Sequence, residues 1–303
     1  MRKFLTEWTQ EVSELLQYVK NPHENYNENL SLGKKLKTIT ALYLTEIVFT
    51  FVIVYPLLYL IDEVYHLRYT NELSRMNIYE LILLAVLVVP FLEEVVFRYS
   101  LKYKNNPAAR FLDIFSKEKI FKKFWLSNYR FFFYASAIVF GLVHITNYEN
   151  KFTAFFLALS PFIILSQLAS GFVLGYLRVR LGFLWGFMYH AIWNFVAFII
   201  PFLIYHNTTV IHIFDSDKTV KLTELSTAED QPATVSYDIR GDKVYSFSLK
   251  NSDIQILLNQ IAPGFHSDDQ FLINFDLKSK KGVSKQELFK ILDEKIELDS
   301  INN

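Results

Sequence analysis

IYELILLAVLVVPFLEEVVFR, positions 78–98, is the stretch whose reading decides the fold. From Leu81 to Phe91 and Leu92 it carries no polar side chain; then come two adjacent carboxylates, Glu93 and Glu94, and Arg98 four residues beyond the second. An apolar run of this length approaches the ~20 residues a helix needs to cross a hydrocarbon core. Ionisable groups near a bilayer centre cost roughly 2.5–3.5 kcal/mol each on insertion scales, so charges kept there face each other or a wet cavity. The stretch therefore predicts a membrane helix that carries a polar site.

The rest of the chain has the same character. Of its 303 residues 51% are hydrophobic and 17% aromatic, with 29 Phe and 18 Tyr, and these cluster in runs at 39–61, 78–97, 131–145, 152–176 and 183–205. About five membrane helices follow, some of them broken. The run at 131–145 rises only ~22 Å against a core of ~30 Å, so it is expected to end inside the protein, near His144. Between the second and third runs Arg98, Lys102, Lys104, Arg110, Lys117, Lys119, Lys122, Lys123 and Arg130 outnumber Asp113 and Glu118, which makes this loop cytoplasmic. Lys34, Lys35 and Lys37 with Arg178 and Arg180 agree.

Composition also removes function classes. Lys and Arg (31) balance Asp and Glu (31), so nothing calls for a nucleic-acid partner. The absence of Cys rules out disulfides, thiol nucleophiles and thiolate metal sites, leaving an oxygen or nitrogen group or a water as nucleophile.

Outside 37–205, which is read as the membrane domain, two segments differ. Residues 1–36 hold Glu7, Glu11 and Glu14 where a signal peptide would be apolar; Phe4, Leu5, Trp8, Val12, Leu15, Leu16 and Val19 instead mark one face of a helix, lying on the membrane interface or packed on the protein. Residues 206–303 read as a small soluble α+β domain. Alternation at 235–239 and 271–275 predicts strands, Gly241-Asp242-Lys243 a turn, and Ser284 with Glu287 a capping box before Leu288, Ile291, Leu292 and Ile296 at helix spacing. His206, His212 and His266 stand apart in the sequence and suggest no chemistry.

The polar residues inside the runs do. Glu94 and Arg98, i and i+4 with the acid first, pair on one helix face, while Glu93 is turned ~100° away. A Glu in an apolar site beside a second carboxylate suits proton transfer. His144 ends Phe140-Gly141-Leu142-Val143-His144, and His190 and Asn194 share one face of Tyr189-His190-Ala191-Ile192-Trp193-Asn194. An imidazole takes and returns a proton and an Asn amide donates without charge. Together with a Glu base these are the parts for water attack on an amide; helix packing is the plainer reading of each residue alone. Gly171 with Gly175 reads as close helix packing.

E-E-x-x-x-R at Glu93 to Arg98, F-x-x-x-H at Phe140 to His144 and H-x-x-x-N at His190 to Asn194, in this order and on separate membrane helices, resemble the CPBP family of intramembrane endopeptidases. That family includes type II CAAX-prenyl endopeptidases and bacteriocin-processing, Abi-like or self-immunity proteins. The approach from Leu174-Gly175-Tyr176 to Leu181-Gly182 is also similar, and the resemblance covers about 78–205.

What the resemblance implies is a peptidase acting on a membrane-associated peptide or protein, in a multi-pass protein of a bacterial inner membrane with the lipid bilayer as its other partner. Glu93 would activate the water with His144 assisting, His190 and Asn194 would stabilise the oxyanion, and Glu94 and Arg98 would support Glu93. The expected cofactor is none. The zinc alternative would use Glu93, His144 and His190 as ligands with water as the fourth, although H-E-x-x-H is missing. Two other classes use similar runs: a non-catalytic membrane scaffold or immunity protein of the same fold, and a transporter, which would show internal repeats that are not seen here.

Overall fold

The computed structural model describes residues 2–24, 30–70, 75–116, 118–267, 272–296 and 298–300; Lys117 and Phe271 lie outside them. Along the chain run α1 (Arg2–Lys20), α2 (Leu32–Phe49), α3 (Tyr55–Tyr65), α4 (Ile78–Leu81), α5 (Val89–Glu93), α6 (Pro107–Ile114), α7 (Ile120–Ser127), α8 (Tyr129–Val143), α9 (Ala154–Ile163), α10 (Leu165–Arg180), α11 (Phe183–Asn194) and α12 (Ile200–Tyr205). There follow β1 (Thr208–Phe214), β2 (Lys218–Leu225), β3 (Thr234–Arg240), β4 (Lys243–Asp253), α13 (Ile254–Ile261), β5 (Phe265–Ser267), β6 (Leu272–Ser284), α14 (Lys285–Asp293) and β7 (Leu298–Ser300). Two compact units result, one from 1–70 and 84–195, the other from 71–83 and 196–303.

Prolines shape the apolar helices. Pro56, Pro90 and Pro201 each stand in the first turn of an α segment, α3, α5 and α12, and each is preceded by a π turn, Thr50–Val54, Ile82–Val88 and Phe195–Ile199. A proline has no N–H for the carbonyl four residues back, here Val52, Val86 or Ala197, so the ladder opens to i→i−5 just before it. A further π turn, Glu94–Arg98, follows α5 with no proline to cause it.

Among the described residues three helices are long and apolar enough to cross a membrane: Leu32–Tyr65, Tyr129–Asn147 and Phe183–Tyr205; the pair α9 and α10, bent by 46° beyond Pro161, makes up to four. The expected count of about five is not confirmed. The second run falls short because Glu80, Glu93, Glu94 and Arg98 break its apolar composition, the same charges that mark it as a site. The third run does better than expected: its helix starts at Tyr129 and a 3₁₀ turn carries it to Asn147, 19 residues in all, or about 28 Å.

In the first unit α8 and α10 approach closely. A methyl at Gly171 would lie 2.9 Å from the Ala137 carbonyl oxygen, and one at Gly175 would lie 2.8 Å from the Phe133 ring. Small residues at such a crossing let the backbones come together where lipid offers no hydrophobic drive. α1 packs on α2 and α10 through Glu11, Leu15 and Tyr18, while Phe4, Leu5 and Leu16 of its expected apolar face stay exposed. Glu11 can sit in that contact because Arg180 reaches it at 3.1 Å and Thr38 donates to it at 2.9 Å; Arg180 also meets Glu14 at 2.6 Å. Arg178 and Arg180 are both buried, so they are internal ties and not loop charges.

The second unit is a five-stranded antiparallel sheet in the order β1-β2-β6-β4-β3. α13 and α14 cover one face, and Val220, Leu222, Phe247, Leu249, Phe275, Leu258 and Leu292 are sealed between them. The expected strands fall in β3 and β6, the turn at Gly241 joins β3 to β4, and Ser284 caps α14 by accepting the Glu287 amide at 3.1 Å. The short segment before the apolar run belongs here too: Met76 accepts the Ala228 amide at 3.1 Å.

Candidate active site

Glu93, Glu94, Arg98, His144, His190 and Asn194 all lie in the first unit. α5 and the π turn after it supply the acids and the arginine, the C-terminal end of α8 supplies His144, and α11 supplies His190 and Asn194.

Each histidine is fixed by one ring nitrogen and presents the other. The His144 Nδ1 lies 2.8 Å from the Phe140 carbonyl; a carbonyl only accepts, so Nδ1 carries the hydrogen and Nε2 is free to face elsewhere. The His190 Nδ1 lies 3.1 Å from Glu94 Oε1, which sets the same tautomer. The two Nε2 atoms then point at opposite oxygens of one carboxylate: His144 at 3.9 Å from Glu93 Oε1 and His190 at 3.5 Å from Glu93 Oε2. Glu93 and His144 keep 20% and 18% of their side-chain surface open, whereas Glu94 and Arg98 are fully enclosed. The Glu93–His144 pair is accessible and the Glu94–Arg98 pair is not.

The enclosed pair is ionic. Arg98 Nη1 stands 3.3 Å from Glu94 Oε1, and its guanidinium lies over the Phe140 ring at 3.6 Å. Among the described residues its nitrogens make no well-aligned hydrogen bond, so charge and the ring face hold it. The i,i+4 pairing expected for Glu94 and Arg98 is therefore present, and Glu94 does one thing more than expected by orienting His190 directly. Asn194 is not brought to Glu93 by any hydrogen bond: its amide donates at 2.8 Å to the carbonyl of Ala85, on the helix that carries Glu93.

Two contributors escaped the sequence reading. Arg178 donates to the carbonyls of Arg98 and Tyr99, both at 3.1 Å, and so closes the end of the site helix; its place beside Arg180 made it look like a surface charge. Gly186 leaves room for Glu94, since a Cβ there would stand 3.5 Å from Glu94 Oε2. Its i,i+4 spacing to His190 was the signal available.

Residues 75–196 match the family model described as Type II CAAX prenyl endopeptidase Rce1-like. This segment is similar to that family. The match agrees with the CPBP resemblance and spans every residue of the site. No curated protein and no solved structure matches the chain. The matched family is one of proteases, and the apolar helices of this chain fit an integral membrane protein. Among the described residues no group of three or more His, Asp or Glu side chains is arranged to hold a metal ion.

Proposed function

We propose that this chain is an intramembrane endopeptidase that hydrolyses a peptide bond of a membrane-associated peptide or protein with water activated by Glu93. The observation that carries the reading is the convergence of two Nε2 atoms, His144 at 3.9 Å and His190 at 3.5 Å, on the two oxygens of the one partly open carboxylate. Both separations exceed direct hydrogen-bond range, so neither imidazole ties up an oxygen of Glu93 with a direct bond.

In this mechanism Glu93 takes a proton from water as its oxygen attacks the carbonyl carbon. His144 accepts that proton at Nε2 and returns it to the leaving nitrogen as the C–N bond breaks. His190, when protonated at Nε2, and the second N–H of Asn194 donate to the oxyanion. Glu94 and Arg98 hold His190 and the helix end in place. The charged helix at 78–98 then crosses as a further membrane helix beside those of adequate apolar length, in a multi-pass protein.

One observation favours a second reading. Asn194 gives its amide to Ala85, as a packing residue does, and a non-catalytic scaffold of the same fold requires nothing more. Wild-type and Glu93→Gln proteins, purified in detergent and offered membrane peptides, separate the two. Glu93→Gln keeps the shape and loses the base, so cleavage falls by at least ~10²–10⁴; equal cleavage rates would sink the Glu93 mechanism, and no cleavage by wild type would sink the protease reading. Chelator-washed protein keeps its activity in the proposed mechanism, and one zinc per chain in active, washed protein would replace it with a metal-assisted one.

A further inference from the structure

Neither the acid pair nor its arginine accounts for Glu46. This carboxylate sits on α2 with 5% of its surface open, in a helix apolar enough to span a membrane, where an ionisable group marks function and needs partners. Its Oε1 accepts the Ser170 hydroxyl of α10 at 2.7 Å. Its Oε2 accepts the Tyr189 hydroxyl of α11. One side chain thus ties three helices.

The position of the tie on α11 matters. Tyr189 is the neighbour of His190, and Trp193 the neighbour of Asn194, so the stripe 189/193 is turned ~100° from the stripe that faces the site. Both members of that stripe are met from α2: Tyr43 lies edge-on to Tyr189 at 5.9 Å and to Trp193 at 5.1 Å, and Glu46, one turn along α2, takes the Tyr189 hydroxyl. α2 therefore sets the rotation of α11. A rotation of about 10–20° is the tolerance of a working site, and a displacement near 1 Å can cost about a hundredfold in rate.

Resting on the protease reading, we propose that Glu46 is a positioning residue for cleavage: through Ser170 and Tyr189 it locks α11 so that the His190 Nε2 stays on Glu93. It touches neither water nor peptide.

The test uses full-length protein in detergent with a cleaved membrane peptide. Tyr189→Phe removes only the hydroxyl and keeps the ring, so kcat falls about ten- to a hundredfold with KM unchanged. Glu46→Gln, which keeps one acceptor oxygen, loses less than Glu46→Ala. The double variant Glu46→Ala/Tyr189→Phe is no slower than Glu46→Ala, because both cut the same tie. Full kcat in folded Tyr189→Phe overturns the proposal, as does a loss confined to KM. Glu93→Gln run in parallel keeps the two ideas apart, since equal cleavage rates for it and wild type overturn the Glu93 mechanism alone, and absence of cleavage by wild type overturns the protease reading. A readout independent of turnover is modification of His190 by diethyl pyrocarbonate, followed by mass spectrometry. Tyr189→Phe raises its rate if α11 is released, and an unchanged rate overturns the clamp.

Discussion

Glu94 touches both of its neighbours with one oxygen, Arg98 at 3.3 Å and His190 at 3.1 Å, and its other oxygen faces Gly186 across a gap the size of a methyl contact. That gap makes a graded prediction. Gly186→Ala places a Cβ at an ordinary contact distance and removes a flexible residue from α11, so thermal stability in detergent holds or rises by about 0.5–1 kcal/mol. Gly186→Leu drives carbon into Glu94 and the Arg178 backbone and costs about 1–3 kcal/mol, with cleavage falling as His190 loses its orienting oxygen. Equal Tm and equal rate for Leu and Gly would show that the gap does not matter. The pairing of Glu94 with Arg98 was legible because i,i+4 is geometry internal to one helix. Glu94 with His190, Glu46 with Tyr189 and Gly186 under Glu94 were not, because each depends on how two helices are rotated against one another, which no local spacing encodes.

At the scale of elements the π turns are the distinctive parts. Pro90, three residues before Glu93, forces the one at Ile82–Val88, and an extra residue in a turn rotates everything after it by ~100°. Pro90→Ala gives the Val86 carbonyl its ordinary partner back. The expected outcome is a Tm equal to or above wild type with a cleavage rate at least tenfold lower, because Glu93 then leaves the two imidazoles. A variant that stays fully active would mean that packing, and not the proline, holds the wide turn. The prolines were visible in the sequence and so were the runs they interrupt; the π turn at Glu94–Arg98 was not, since no residue in it forbids an α ladder. The start of α8 was misplaced for a different reason: Tyr129 and Arg130 look like loop residues, yet Tyr129 is buried and continues the helix downward.

At the scale of the molecule the two units differ in kind. The second buries its own core, from Ile211 to Ile296, so residues 206–303 made alone should fold and give a cooperative urea transition. Its β1–β2 turn carries a pH dependence. Asp215 accepts the amides of Lys218 at 2.8 Å and Asp217 at 2.7 Å, and these two amides, Lys218 first, hold its carboxyl below the usual carboxylate range. A pKa lowered by folding stabilises above the unfolded value of about 3.9 and ceases to do so as pH falls through the folded value. The urea midpoint of Asp215→Asn should therefore lie below wild type at pH 6 and meet it as the pH drops below about 4; parallel curves would refute the assignment. Strand alternation and the Ser284 cap made this unit legible early, whereas the joining of 71–83 to it was not, for it rests on a long-range pairing at Met76. A last consequence comes from Arg180 in the grip of Glu11 and Glu14. Chains are made from the N-terminus, so α1 emerges ahead of the bases that meet its acids: Lys34, which pairs with Glu11, follows soon after, whereas Arg180, which meets Glu11 and Glu14, comes far later. Only when the ribosome has passed Arg180 does Glu14 meet this counter-ion, and a nascent chain stalled short of that codon would expose a half-latched first helix to quality-control proteases.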